Sequence, residues 1–219
     1  MITAAKFWDS AAEKYARSPI KDMASYTYTL DRTRSYLHAG DRVLELGCGT
    51  GTTARHLAPS VAEITASDVS PAMIDIARRK AAEEGIANMR FAVADTSDPV
   101  PDGEVYDAVL AFNLIHLLTD PDRAMTRIHA MLKPGGLFIS KTICLPEAGS
   151  GWSRERLLLS VMRVALPVMQ WLGKAPYVRI TTIAELEAMV TSTGFSIIES
   201  GNHPAQPPRR FIVARKPLK

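Results

Sequence analysis

The sequence is poor in cysteine, in net charge and in long apolar runs, and each shortage excludes a class of protein. Its two cysteines, Cys48 and Cys144, form no C-x-x-C pair and have no histidines at metal-ligand spacing, so the sequence predicts neither a disulfide framework nor a metal site. A formal net charge of +3 argues against a nucleic-acid partner. No stretch reaches the roughly 18 to 20 apolar residues of a membrane span, and residues 1–18 lack the core of a signal peptide. We therefore expect a reduced, cytoplasmic setting.

Strand-like and helical patterns alternate along most of the 219 residues, which predicts one domain. The predicted strands are 42–46, 62–68, 89–95, 106–113, 137–143, 195–200 and 209–215. The predicted helices are about 3–17, 22–38, a short one ending near 57, 71–84, 121–132 and one capped by Thr182. This alternation is typical of an α/β fold, in which a parallel sheet is covered by helices on both faces.

Two further segments have roles of their own in this prediction. Residues 1–40 form an N-terminal helical cap, and residues 145–180 form a helical insert. The insert carries one narrow polar stripe and a broad apolar face, so we hypothesise that it is a lid over a largely apolar acceptor pocket. Three alternatives stay open: ordinary core, a dimer interface, or a helix on a membrane surface with its arginines at the headgroups.

The stretch VLELGCGTGTTA, residues 43–54, places three glycines directly after a predicted strand. They are Gly47, Gly49 and Gly51, and they imply that something lies too close to the backbone for a side chain. A dinucleotide site prefers the spacing G-x-G-x-x-G, and a phosphate-binding loop requires a lysine that this turn lacks. The glycines therefore fit a phosphate or a dinucleotide poorly, and a turn without any ligand stays open.

Two aspartates end the next two predicted strands and narrow the choice of ligand. Asp68 follows Gly47 by 21 residues and could accept both hydroxyls of a ribose. Asp95, in the stretch VADTSD, could accept a hydrogen bond from an adenine amino group. In a parallel sheet, ligands bind beyond the carboxyl ends of the strands, where the glycines and both aspartates are expected to meet. An adenosyl ligand fits this set best.

Several motifs in order resemble those of the class I S-adenosylmethionine-dependent methyltransferases. They are VLELGCGTG, ITASDVSPAMIDIAR, VADTSD, YDAVLAFNLIHLL and LKPGGLFIS. The resemblance covers about residues 5–145 in detail. It implies a Rossmann-like, doubly wound, seven-stranded sheet, mostly parallel with an antiparallel last strand, and S-adenosyl-L-methionine as cofactor.

The resemblance also implies roles for individual residues. The methionyl part of the cofactor would be lined by Glu45, Gly47, Cys48 and Gly49. The ribose would be held by Asp68, the adenine by Met73, Asp95 and Thr96, and the amino group by the backbone carbonyl of Asn113. No metal ligand is implied.

The sequence says less about the acceptor molecule, and about the residue that would remove its proton, than about the cofactor. His116 is the main candidate for a general base, and Tyr15 is the second; Tyr26 and Tyr28 are further alternatives. The predicted function is in-line methyl transfer to a small, partly apolar molecule by a monomer or homodimer. The alternatives are a catalytically silent cofactor-binding module and an enzyme acting on a lipid at a membrane surface. A nucleic-acid methyltransferase and a nicotinamide dehydrogenase fit the motifs less well.

Overall fold

The computed structural model describes residues 3–96, 105–145, 170, 175–179, 181–205 and 208–218. Within these ranges the helices are α1 (Ala4–Arg17), α2 (Met23–Arg34), α3 (Thr52–Leu57), α4 (Pro71–Glu83), α5 (Pro121–Met131) and α6 (Ile183–Ser192). The strands are β1 (Arg42–Leu46), β2 (Glu63–Asp68), β3 (Met89–Val93), β4 (Tyr106–Phe112), β5 (Leu132–Ile143), β6 (Ser196–Asn202) and β7 (Arg209–Arg215).

The seven strands form one sheet in the order β3-β2-β1-β4-β5-β7-β6. Strands β1 to β5 run parallel to one another, whereas β7 pairs antiparallel with both β5 and β6. The predicted fold class is confirmed, including the antiparallel last strand. The glycine turn follows β1, so it lies near the middle of the sheet edge where the parallel strands end.

Local sequence signals explain where several elements begin. Ser70 caps α4 by accepting from the backbone N–H of Met73, and Pro71 occupies the first helical position. Thr182 and Glu185 form a capping box at the start of α6. Both caps were predicted from the sequence.

Four element boundaries differ from the prediction by two residues or more, and one of them is the end of β6, which lies at Asn202 and not at residue 200. Helix α2 ends at Arg34 rather than near residue 38, and β3 ends at Val93, which leaves Asp95 in the following loop. Strand β5 begins at Leu132, because Leu132 already pairs with Tyr106 and the next four residues bulge out opposite Asp107. A proline and two glycines in that bulge hide the early start of β5 from a sequence pattern.

Helices cover both faces of the sheet. On one face, Val109 and Phe138 pack with apolar side chains of α5 and α6, including Met125 and Leu186. On the other face, Val43, Ile64 and Phe211 pack against α3. All of these side chains are buried. The close packing of helices on both faces of the sheet holds in place the turns at the ends of the strands.

The predicted N-terminal cap contains two helices that attach differently. Helix α1 packs on α4 through Ala12, Met73 and Ile76. Helix α2 is tied to β5 by the buried Lys141, whose Nζ donates to Ser25 O at 3.0 Å, Ser25 Oγ at 2.6 Å and Thr29 Oγ1 at 2.7 Å. All three partners are neutral oxygens, and burial lowers the pKa of Lys141 to about 8.

The predicted acceptor lid lies mostly outside the described residues, which include only 145, 170 and 175–179 of the range 145–180. Within the part of the chain that the structure describes, no helix combines the length and apolarity that crossing a bilayer requires.

Candidate cofactor and acceptor site

A cavity of about 490 Å³ opens along the carboxyl ends of the parallel strands. This volume falls within the range of about 300 to 1,000 Å³ that is usual for small-molecule sites. Eight of the residues singled out by the sequence line it: Tyr15, Gly47, Gly49, Asp68, Met73, Asp95, Thr96 and Asn113. The other residues singled out are not among the lining residues: Glu45, Cys48, Gly51, His116, Tyr26 and Tyr28.

The three glycines of the turn serve different purposes. A Cβ at Gly51, where φ is +72°, would lie 2.9 Å from the Cβ of Ala77, so Gly51 permits close packing of α4. A Cβ at Gly47 would lie 2.7 Å from Leu114 Cδ1. Gly49 faces more open space, since its nearest neighbour, Tyr15 Cε1, would be 3.6 Å away. Of the three, Gly49 thus leaves the most room for a ligand against the backbone.

Asp68 ends β2 and is held by the two turns beside it. Its Oδ2 accepts from the backbone N–H of Gly49 and its Oδ1 from that of Ser70, each at 2.9 Å. Each carboxylate oxygen has two lone pairs, so this arrangement fixes the side chain and leaves acceptor capacity for a ligand. Burial is the main cause that raises the pKa of Asp68, and the backbone N–H groups oppose it.

The remaining predicted cofactor residues surround the same cavity. Met73 is buried in the first turn of α4, where it belongs to the cluster under α1. Asp95 and Thr96 follow β3 on the side of the cavity next to Asp68. Asn113 follows β4 with φ of +54°, and its N–H donates to Lys141 O at 2.7 Å. Asparagine tolerates this left-handed conformation better than most residues.

Glu45 and Cys48 lie beneath the turn. Glu45 is almost fully buried, and its Oε2 has no hydrogen-bond partner within the described residues. Burial raises the pKa of Glu45 to about 8, and the backbone N–H of Ala54 partly offsets this effect. Burial also raises the pKa of the Cys48 thiol, followed by the charges of Glu45 and Asp68. Cys48 is therefore a poor nucleophile, as a thiolate is required for attack.

Replacing Glu45 with glutamine is expected to flatten the dependence of stability on pH. From about pH 4.5 to about 8, the folded protein holds the Glu45 proton more tightly than the unfolded chain does, so the free energy of unfolding falls as the pH rises through this window. Glutamine has no such proton, so the variant avoids this loss. Urea denaturation across the window measures the difference.

The matched control for this prediction is Glu13→Gln, which changes an exposed carboxylate of α1. It should follow the wild-type profile. Parallel profiles for the wild type and Glu45→Gln would contradict the prediction.

His116 belongs to a 3₁₀ turn, Ile115–Leu117, that follows β4. Its Nδ1 is buried and has no partner in the described part of the chain, and burial and then Arg209 lower its pKa to about 4. A neutral imidazole with so low a pKa is a weak base at neutral pH. Its backbone carbonyl accepts from Arg179 N at 2.6 Å, so this turn anchors the segment 175–179. His116 as the general base stays a prediction that this geometry does not favour.

The three candidate tyrosines occupy different places. Tyr15 lines the cavity, and burial, Glu45 and Asp68 together raise its pKa. Tyr26 has its hydroxyl 2.8 Å from His56 Nδ1, and Tyr28 stacks on His203 with ring centroids 3.7 Å apart. Of the three, only Tyr15 is among the residues that line the cavity.

Several lining residues were not singled out by the sequence analysis. They are mostly apolar or aromatic and include Phe7, Trp8, Phe112, Leu117, Leu118 and Tyr177. Asp120 adds a carboxylate at the start of α5, where its Oδ1 accepts from Arg123 N. Apolar residues scattered over five segments carry no motif. Only the aromatic residues of the N-terminal helix, Phe7, Trp8 and Tyr15, lie close enough together in the sequence to have indicated a shared surface.

Comparisons with known proteins agree with this architecture. A family model described as a methyltransferase domain matches residues 43–136. The demethylmenaquinone methyltransferase of Clavibacter sepedonicus is 36% identical over 102 residues, which are 46% of this chain and 40% of that protein. The ubiquinone biosynthesis O-methyltransferase of Rhizobium leguminosarum is 29% identical over 183 residues, which are 82% of this chain and 69% of that protein. The chain thus matches less than half of the first relative and about two thirds of the second.

One solved structure gives the same picture of the fold. Magnesium protoporphyrin IX methyltransferase from Synechocystis, with bound S-adenosylhomocysteine, superposes with a TM-score of 0.71 at 18% identity and covers 97% of both chains. Residues 43–136 thus match a methyltransferase domain, and the ordered motifs and the strand order make the chain similar to the class I S-adenosylmethionine-dependent methyltransferases.

Proposed function

We propose that this protein transfers the methyl group of S-adenosylmethionine to a small, largely apolar acceptor that carries an aromatic hydroxyl group. One observation carries the proposal. A single cavity joins the predicted adenosyl-binding residues beyond β1, β2 and β3 to an apolar wall formed by Leu117, Leu118 and Tyr177. The cofactor and the acceptor molecule could therefore bind side by side in this one cavity.

The residues of the chain fit the cofactor of the family. Asp68 is held rigidly and keeps lone pairs for the ribose hydroxyls, while Asp95 and Thr96 would hold the adenine. The thioether of Met73 suits contact with an aromatic base. These assignments follow the order of the strands, since β3, β2 and β1 are neighbours in the sheet.

The methionyl part of the cofactor would lie near the glycine turn and Asn113. Gly49 offers backbone at close range, and Glu45 lies beneath the turn with a buried carboxylate oxygen that no described residue satisfies. A cationic amino group placed nearby would favour the ionised form of Glu45. The open backbone at Gly49 and the unpaired Glu45 Oε2 are the two local features that fit the methionyl group of the cofactor.

The cofactor supplies a methyl group already activated by its positive sulfur. The protein then has to align the acceptor with that methyl and exclude water, and such alignment can contribute about 7 to 11 kcal/mol. Phe7, Trp8 and Tyr15 of α1 would exclude water from above, and the wall at Tyr177 would orient the acceptor. The Tyr15 hydroxyl could accept a hydrogen bond from the acceptor hydroxyl; because its raised pKa keeps it protonated, Tyr15 would orient the acceptor and not remove its proton.

The aromatic hydroxyl is inferred from two sources. The described cavity lining contains three carboxylates, Asp68, Asp95 and Asp120, and no lysine, arginine or histidine, so it favours a neutral acceptor over an anionic one. Of the two relatives reported above, one is named a demethylmenaquinone methyltransferase and the other a ubiquinone biosynthesis O-methyltransferase. A phenol or quinol of low polarity satisfies both.

Methylcatechol and its carboxylate analogue protocatechuate test the proposal as a matched pair of acceptors. With tritiated S-adenosylmethionine, we expect label transfer to methylcatechol, with a kcat/KM roughly five- to tenfold above that for protocatechuate, because protocatechuate adds a negative charge near the carboxylates. Liquid chromatography of the labelled product gives the rate and the methylated atom. Cofactor binding without transfer to any hydroxylated aromatic would contradict the proposed function, and a preference for protocatechuate would contradict the charge argument.

A further inference from the structure

We propose that Asp9 is a positioning residue that fastens α1 over the cofactor cavity by joining Ser70 and Asp68 in one hydrogen-bonded chain. The proposal rests on the proposed function only in assigning the cavity to the cofactor. The hydrogen bonds from Ser70 and Ala72 to Asp9 are present without any ligand, so they can be tested without the cofactor.

The described hydrogen bonds between α1 and the start of α4 go to one carboxylate oxygen. Asp9 Oδ1 accepts from Ser70 Oγ at 2.6 Å and from the backbone N–H of Ala72 at 3.1 Å. Ala72 N–H is one of the groups that the first turn of a helix cannot satisfy internally. Asp9 therefore acts as a second cap of α4, supplied by a different helix.

Ser70 extends this contact into the site. Its hydroxyl donates to Asp9 and accepts from Met73 N at 3.1 Å, while its own backbone N–H donates to Asp68 Oδ1. The other oxygen of Asp68 accepts from Gly49 N. The chain thus runs from α1 to the glycine turn through the carboxylate that we assign to the ribose.

Apart from these hydrogen bonds, α1 is held to α4 by apolar packing that also includes Trp8 and Ala16. Its buried contact with α4 is a small cluster around Ala12, Met73 and Ile76, separate from the two large clusters that cover the sheet. Beyond it, the connection to α2 at residues 18–22 is exposed throughout. A helix joined by an exposed connection and a small apolar contact depends strongly on a charged hydrogen bond at its centre.

Helix α1 also covers the site. Thr3, Ala4, Phe7, Trp8 and Tyr15 line the cavity, and Tyr15 lies over Gly49. A cofactor seated against Gly49 and Asp68 would be enclosed by this helix. Breaking the contact at Asp9 should therefore loosen α1 and let the cofactor leave faster.

Three variants separate this role from a general effect on folding. Asp9→Ala removes the acceptor of Ser70 Oγ and Ala72 N. Asp9→Asn keeps an oxygen for both donors, because both bonds go to Oδ1. Glu13→Ala removes an exposed carboxylate from the same helix and is the control for charge.

The first readout needs no cofactor. Trp8 is on α1, and replacing Trp152 and Trp171 with phenylalanine leaves it as the single tryptophan. In that background, we expect Asp9→Ala to shift the Trp8 emission to the red and to speed tryptic cleavage at residues 14–21 about tenfold. Asp9→Asn and Glu13→Ala should behave like the parent. Unchanged cleavage and emission in Asp9→Ala, or equal changes in Glu13→Ala, would overturn the proposal.

The second readout separates positioning from chemistry. We expect Asp9→Ala to raise the KM for S-adenosylmethionine about tenfold with kcat within about twofold, and Asp9→Asn to restore the KM. A tenfold fall of kcat with an unchanged KM in Asp9→Ala would overturn the positioning role. Failure of the wild type to bind S-adenosylmethionine in calorimetry would refute the proposed function instead, while the cleavage and emission results would still decide the case of Asp9.

Discussion

Replacing Gly51 with alanine is expected to lower the free energy of unfolding by roughly 2 to 4 kcal/mol. Two costs add. Gly51 has φ of +72°, and the new Cβ would lie 2.9 Å from the Cβ of Ala77. A methyl group attached directly to the backbone of α4 cannot rotate away, so α4 itself would have to move. Urea denaturation measures the loss.

Gly85→Ala is the matched control, since Gly85 has φ of +68° and no atom within 4 Å of its ideal Cβ position. It should lose only the conformational cost, roughly 1 to 2 kcal/mol. The difference between the two variants is then the steric conflict between the turn and α4. Equal losses would show that Ala77 accommodates the methyl group and that close packing does not explain Gly51.

Replacing Asp68 with alanine is expected to weaken S-adenosylmethionine binding about ten- to hundredfold, as expected for loss of hydrogen bonds to a charged group. The backbone N–H groups of Gly49 and Ser70 would also lose their acceptor, so the turn would become less ordered. Titration calorimetry should show the same loss for S-adenosylhomocysteine, because both ligands contain the ribose. A loss confined to the sulfonium compound would assign Asp68 to the charge instead of the sugar.

Asp75→Ala serves as the control for this experiment. Asp75 is also a carboxylate of α4, but its side chain is exposed, and its ion pair among the described residues is with Arg78, three residues away. Its removal should leave cofactor affinity within about twofold, since exposed ion pairs contribute little. If Asp68→Ala bound the cofactor as well as Asp75→Ala does, the ribose assignment would be wrong.

The sequence predicted the strands, the caps and the glycine turn because these depend on local patterns. Alternation of apolar runs located all seven strands, and Ser70 and Thr182 were identified as caps from their neighbours alone. The early start of β5 was missed, because its first residue pairs across a bulge that contains Pro134. Register is decided by the partner strand, which a linear pattern does not contain.

The roles within the turn could not be read from the sequence. Gly49 and Gly51 look alike in the motif, yet one faces the cavity and the other faces a methyl group of α4. The difference depends on how α4 packs, which is a tertiary contact.

The same limit applies to single polar residues. Asp9 lies 61 residues before Ser70 and has no signal of its own, whereas His116 had a favourable position in the chain and yet does not line the cavity. The ends of strands predict which backbone reaches the site. The direction of each side chain depends on neighbours that only the folded chain provides.

The position of β7 between β5 and β6 has a consequence for synthesis on the ribosome. Leu137 to Ile143 of β5 pair with residues 209–215, which are synthesised after all the other described strands. Until then, the nascent chain carries a buried-type strand edge with unpaired N–H and C=O groups, the kind of edge that recruits other chains. We expect ribosome-stalled fragments that end before residue 209 to aggregate, because this edge of β5 stays unpaired in them.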